Sequence, residues 1–156
     1  MVAKYGSFKR RFGDSVPTLG GRPVDFSSVY AIGPKEGMPI KIGYGGDPKN
    51  RVSNCQAGNW VELFLHYNVW TVDNKLSRRV GKACHDVLDK AKKRLRGEWF
   101  NINPEWAKKV IWFAAQEEGI PLYTNKDIND TSMVKGDLMM LQMLDEAGLI
   151  AGGKIM

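Results

Sequence analysis

Residues 27–45 read SSVYAIGPKEGMPIKIGYG, and this stretch decides the fold. SSVYAIG at 27–33 and PIKIGYG at 39–45 are rich in β-branched and aromatic residues and flank a turn bearing Pro34 and Gly37. That pattern specifies a β-hairpin.

Immediately downstream, Asp47-Pro48 supplies an N-cap followed by proline at the first helical position, so a short helix runs to about Gln56 and Gly58-Asn59 closes it. VELFLHYNVWTV at 61–72 is apolar, aromatic and β-branched, which predicts a buried central strand. From Asn74 to Leu95 the apolar residues Leu76, Val80, Ala83, Cys84, Val87, Leu88, Ala91 and Leu95 recur at three and four, predicting an amphipathic helix. GEWFNI at 97–102 predicts a short strand. Asn103, Pro104 and Gly119 then bracket another helix containing Trp106, Val110, Phe113 and Ala114. Turn chemistry occupies 124–132, and Leu138, Leu141 and Leu144 predict a helix over Asp137–Glu146.

The order β-β-α-β-α-β-α describes an α+β sandwich, an initial hairpin and central sheet flanked by helices, with a short C-terminal helical appendage. A chain of 156 residues with 43% apolar composition suits one domain with extensions. The expected division is an irregular basic arm at 1–27, a domain at 28–119 and a helical extension at 120–156. No internal repeat or low-complexity tract interrupts it.

The formal net charge is +6, and the Lys and Arg residues concentrate in the arm and in residues 73–98, whereas 120–156 is net acidic. A polyanion is the favoured partner for the basic regions, because each phosphate neutralised releases counterions. Lys9, Arg10 and Arg11 in the arm and Arg78, Lys82, Lys92 and Lys93 in the long helix are the expected nucleic-acid contacts. With no run of eighteen apolar residues and a basic, Gly-bearing start, the expected location is the cytoplasm, that of the host cell if phage-encoded. The two cysteines, Cys55 and Cys84, read as core thiols. A Cys2His2 zinc site is disfavoured, since Cys84 and His85 are neighbours on one helix and point apart.

Several short motifs, in order, resemble the GIY-YIG nuclease superfamily, in the phage and bacterial branch whose second motif reads K-I-G. Val29-Tyr30-Ala31-Ile32 stands for the first motif and Lys41-Ile42-Gly43-Tyr44 for the second. Asp47-Pro48 with Arg51 matches the branch's D-P-x-x-R, Gln56-Ala57-Gly58-Asn59 its Q-x-G-N turn, and Gly97-Glu98-Trp99-Phe100 its G-E-W-F ending. The resemblance covers about residues 28–102. It implies magnesium- or manganese-dependent hydrolysis of a phosphodiester in double-stranded DNA: a first-strand tyrosine beside the attacking water, a first-helix arginine on the phosphate, and a glutamate on a later helix holding the metal.

Carried over to this sequence, the expected catalytic residues are Tyr30, Arg51, Lys41, Tyr44 and His85. Negative charge developing on phosphate oxygens requires cations and donors already aimed there. Read without the motifs, Tyr30 would be a half-buried strand aromatic, Arg51 a solvated helix arginine and Tyr44 an ordinary strand end. The branch's metal glutamate stands four residues before the histidine, and here that position is Gly81. A glycine inside a helix costs about 1 kcal/mol relative to alanine, so either something lies close to Gly81 or a function has been lost. Asp73, Asp86 and Asp89 fall off the expected position. Glu98 is the remaining candidate ligand, against a plainer reading as a carboxylate paired to a base.

His85 is expected to bond a phosphate or a neighbouring strand, or to be a satisfied core-edge histidine, and His66 to be structural. Trp60, Trp70, Trp99, Trp106 and Trp112 are expected as core and core-edge packing, with no spacing that singles one out for base stacking. Two functions follow as expectations: a GIY-YIG-type endonuclease impaired at Gly81, or an inactive nucleic-acid-binding module on the same fold.

Overall fold

The computed structural model describes residues 26–129 continuously, with Thr18–Leu19, Arg22–Pro23, Ile150–Ala151, Lys154–Ile155, Met140 and Met143. Strands β1 (Ser27–Pro34) and β2 (Ile40–Gly45) form the expected hairpin, and Tyr30 faces Gly43 across it. Helix α1 (Pro48–Gln56) follows, its N-cap Asp47 accepting from the Asn50 amide at 3.0 Å. Then come β3 (Leu63–Thr71), α2 (Asn74–Lys90), β4 (Arg94–Arg96), β5 (Trp99–Phe100), α3 (Pro104–Glu118) and α4 (Asn125–Asn129). Asp73 caps α2 through the Leu76 amide and Asn103 caps α3 through the Trp106 amide, both at 2.9 Å. Each such cap contributes about 1 kcal/mol.

The sheet is antiparallel throughout, in the order β3-β1-β2-β5-β4. The central strand is therefore flanked by others. The 61–72 run was expected there, but β3 occupies an edge of the sheet, with its middle residues only half-buried. The strand buried on both faces is β1, because β3 adds to the outer side of the hairpin. Val29, Ala31, Ile40, Ile42, Val69 and Phe100 point to one face and pack under α2 and α3. Tyr30, Ile32 and Leu63 point to the other face, against Val52 and Cys55 of α1. Alternation along the strands thus separates two environments.

Helix α2 ends at Lys90, short of the expected Leu95. Lys92 adopts a left-handed φ of 57°, and the amides of Lys92 and Lys93 return to the carbonyls of Asp89 and Leu88 at 2.9 Å each. This is a Schellman stop with lysine where glycine usually stands. The chain reverses into a β4–β5 hairpin, so Leu95 is 57% exposed and the 97–102 strand shortens to Trp99–Phe100.

The turn expected at 124–132 contains α4. Its start is a reciprocal cap in which the Thr124 hydroxyl accepts from the Asp127 amide at 3.1 Å and the Asp127 carboxylate from the Thr124 amide at 2.9 Å. Met140 and Met143 are helical and exposed. The rest of the expected 137–146 helix, and Lys9, Arg10 and Arg11 of the arm, lie outside the described residues. Among the described residues no helix is long and apolar enough to cross a membrane.

Candidate nucleic-acid interface

Tyr30 is buried on the α1 face of the sheet, and its ring lies across Gly43. A Cβ added at Gly43 would meet the Tyr30 hydroxyl oxygen at 2.5 Å and Cζ at 2.6 Å. Any larger residue in the K-I-G motif would therefore displace the phenol. Arg51, exposed in the first turn of α1, sits beside that hydroxyl. Burial raises the Tyr30 pKa above the ordinary tyrosine value, and the charge and hydrogen bond of Arg51 pull the other way without cancelling it. The phenol consequently stays protonated and can donate.

Lys41 lies on the same face as Tyr30, opposite Ile32, and its ammonium donates to the Glu98 carboxylate at 2.6 Å. Glu98 is in turn close enough to Tyr30 to contribute to its raised pKa. Tyr30, Arg51, Lys41 and Glu98 thus form one cluster of two cations, a phenol and a carboxylate.

Tyr44 and His85 do not join it. Tyr44 pairs in register with Val29, so its ring projects to the α2 face, and there it packs on Gly81. A Cβ at Gly81 would fall 2.9 Å from Tyr44 Cδ1 and 3.5 Å from Cγ. The close neighbour that a buried helical glycine demands is the tyrosine of the K-I-G-Y segment itself. One turn on, His85 Nε2 lies 2.8 Å from the Ile42 carbonyl and therefore carries its proton there. The Ile42 amide donates to the Glu98 carbonyl at 3.1 Å, and the His85 bond satisfies the Ile42 carbonyl. His66 Nε2 likewise bonds the Pro34 carbonyl at 2.7 Å.

Of the expected basic contacts, Arg78 and Lys82 are exposed on α2 and, with exposed Lys75, are spaced along one flank of the helix. None of the three has an ion pair among the described residues. Lys92, expected on that flank, lies past the helix end, and Lys93 packs over the Trp106 ring at 5.3 Å from its centroid.

Three of the carboxylates weighed as metal ligands have partners of their own. Asp73 caps α2, Asp89 holds Arg94 at 3.0 Å, and Glu98 holds Lys41. The Arg94 hydrogen bond lowers the Asp89 pKa. Among the described residues no three His, Cys, Asp or Glu side chains form a group that could hold a metal ion.

Glu98 has the plainer of its two expected roles, a carboxylate paired to a base, and the base is Lys41, which the non-periodic β2–β5 pairing brings to it. Trp60, expected to pack, is 96% exposed. Its neighbours Gly58 and Asn59 signal a turn and could have argued against burial.

A hairpin-led antiparallel sheet with helices on both faces and a phenol–guanidinium pair beside a lysine defines a small nuclease-like α+β domain. Residues 27–114, more than half of the chain, match the T5orf172 domain, found in phage and bacterial proteins with an endonuclease-like fold; the chain belongs to this family. No curated protein and no solved structure matches it. Membership associates the chain with nucleic acid at a coarse level.

Proposed function

We propose that this chain is a nucleic-acid-binding module on a GIY-YIG scaffold, holding a phosphodiester of double-stranded DNA without cleaving it through magnesium or manganese. The observation that carries this reading is the Tyr44 ring packed on Gly81, where the resemblance calls for a metal carboxylate.

The arrangement supplies what binding needs. Arg51 offers a planar fork to phosphate oxygens, and the protonated Tyr30 adds a neutral donor beside it. Lys41 contributes charge, partly offset by Glu98. Lys75, Arg78 and Lys82 extend the positive field along α2, giving salt-dependent and sequence-independent affinity.

A second reading, an active endonuclease, is favoured by one specific observation, the nearness of Arg51 to the Tyr30 phenol, two residues that the GIY-YIG resemblance assigns to the attacking water and the phosphate. The two separate on incubating the purified chain with duplex DNA, with and without magnesium or manganese, beside a binding titration across salt. Binding that weakens with salt and leaves the DNA intact supports the module. Metal-dependent cutting abolished by Tyr30→Phe supports the nuclease.

A further inference from the structure

The loop between α1 and β3 holds one indole out in solvent by a rigid frame. Gln56 spends its whole side-chain amide on this loop, donating to the carbonyls of Asn59 and Val61 at 2.9 Å each and accepting from the Leu63 amide at 2.7 Å. The Asn59 side chain accepts from the Val61 amide at 2.9 Å. Between these fixed points Trp60 is 96% exposed, and among the described residues its ring has no partner.

The other four indoles are engaged. Trp70 Nε1 donates to Asn125 and Trp112 Nε1 to the Tyr67 hydroxyl, Trp106 lies under Lys93, and Trp99 packs with the Tyr30 cluster. An unpaired aromatic ring on a loop whose backbone is pinned, following a helix whose only charged residues are Lys49 and Arg51, is suited to stacking on nucleic-acid bases, because every base offers a π-face.

We infer that Trp60 is a stacking platform for an unpaired base of the DNA strand whose phosphate sits at Arg51; this rests on the proposed DNA-binding role. The helix itself sets the reach. Arg51 and Gln56 are five residues apart on α1, about 8 Å along its axis. Successive nucleotides of a duplex strand rise about 3.4 Å along the helix axis. Trp60, just past the helix end, therefore meets a base roughly two to four nucleotides from the phosphate at Arg51. Helix α1 contains no Asp or Glu, and its two cations, Lys49 and Arg51, stand toward its N-terminal end.

The test uses the full chain and its Trp60→Ala, Trp60→Phe and Arg51→Ala variants, titrated against a fluorescein-labelled blunt duplex and the same duplex bearing a short single-stranded oligothymidine tail. Trp60→Ala should weaken binding to the tailed probe by about 5- to 150-fold. It should change blunt-duplex affinity less than about twofold, Trp60→Phe should keep most of the tail's advantage, and Arg51→Ala should weaken both probes. Equal loss on both probes, no loss on either, or a Trp60-dependent dimer by sedimentation would overturn the stacking role while leaving DNA binding intact. A wild-type chain that binds neither probe would instead overturn the DNA-binding reading itself.

Discussion

Replacing Gly81 by alanine tests the contact that replaces a carboxylate with an aromatic ring. On an open helix surface the change would stabilise by about 1 kcal/mol, because alanine restricts the unfolded chain and favours the helix. Here the new methyl carbon would sit 2.9 Å from Tyr44 Cδ1. Ordinary carbon contacts begin near 3.5 Å, so the overlap is about 0.6 Å. The clashing atom is at the base of the ring, held between β2 and α2, and cannot swing clear as the tip of a flexible chain would. Overpacking of this kind costs roughly 1–3 kcal/mol, leaving a net loss of about 0–2 kcal/mol. In urea unfolding followed by far-ultraviolet circular dichroism, a loss of about 1 kcal/mol lowers the midpoint by roughly 0.5 M. In a Tyr44→Ser background the same substitution should regain its helical benefit, reversing the sign, and the two residues should couple by about 2 kcal/mol. If Gly81→Ala alone raised the midpoint, the packing of Tyr44 on Gly81 would be refuted.

Further outcomes follow from the same geometry. Because burial raises the Tyr30 pKa, its contribution to stability is fully present below about pH 10 and declines as pH rises through the folded-state value, where the unfolded chain ionises first. Tyr30→Phe should flatten that alkaline fall in the urea midpoint. Cys84 is buried and its thiol is pushed up to about 12, whereas Cys55 is half-buried. A disulfide reagent at pH 8 should therefore modify one thiol quickly and the second only on unfolding. Glu98→Gln removes a partly exposed ion pair and should cost about 0.5–1 kcal/mol. Magnesium should leave the melting temperature of the wild-type chain unchanged, and a magnesium-dependent rise lost in Glu98→Gln would make Glu98 a metal ligand.

Where local chemistry decides structure, the sequence was transparent. The hairpin, the α1 and α3 N-caps and the apolar stripe of α2 followed from turn residues, cap residues and periodicity. Local patterns did not suffice where an outcome depended on a distant segment or on an unusual residue. The 61–72 run is as apolar as a central strand, yet it occupies an edge because β1 offers its free side there. Helix α2 stops at a left-handed lysine, a position where sequence rules look for glycine. The short α4 was signalled by Thr124 and Asp127 at capping-box spacing, but the surrounding turn formers obscured it.

The candidate site divided along the same line. Spacing put Arg51 one turn into α1, where it meets Tyr30. Motif order suggested that Tyr44 belonged with Tyr30, but strand alternation sends successive side chains to opposite faces, so Tyr44 sits under α2. Gly81 was conspicuous in the sequence as a helix-interior glycine, and its reason became visible only with the ring of Tyr44 against it.

The central claim, a phosphate-holding surface without a metal half, is tested most directly by one measurement on the purified chain. Labelled duplex DNA is incubated with excess protein, with magnesium, with manganese or with chelator, and resolved for both complex and cleavage product. The expected result is a complex that weakens steeply with salt and is weakened further by Arg51→Ala, with full-length DNA under all three conditions. Cleavage that requires the metal and disappears in Tyr30→Phe would contradict it.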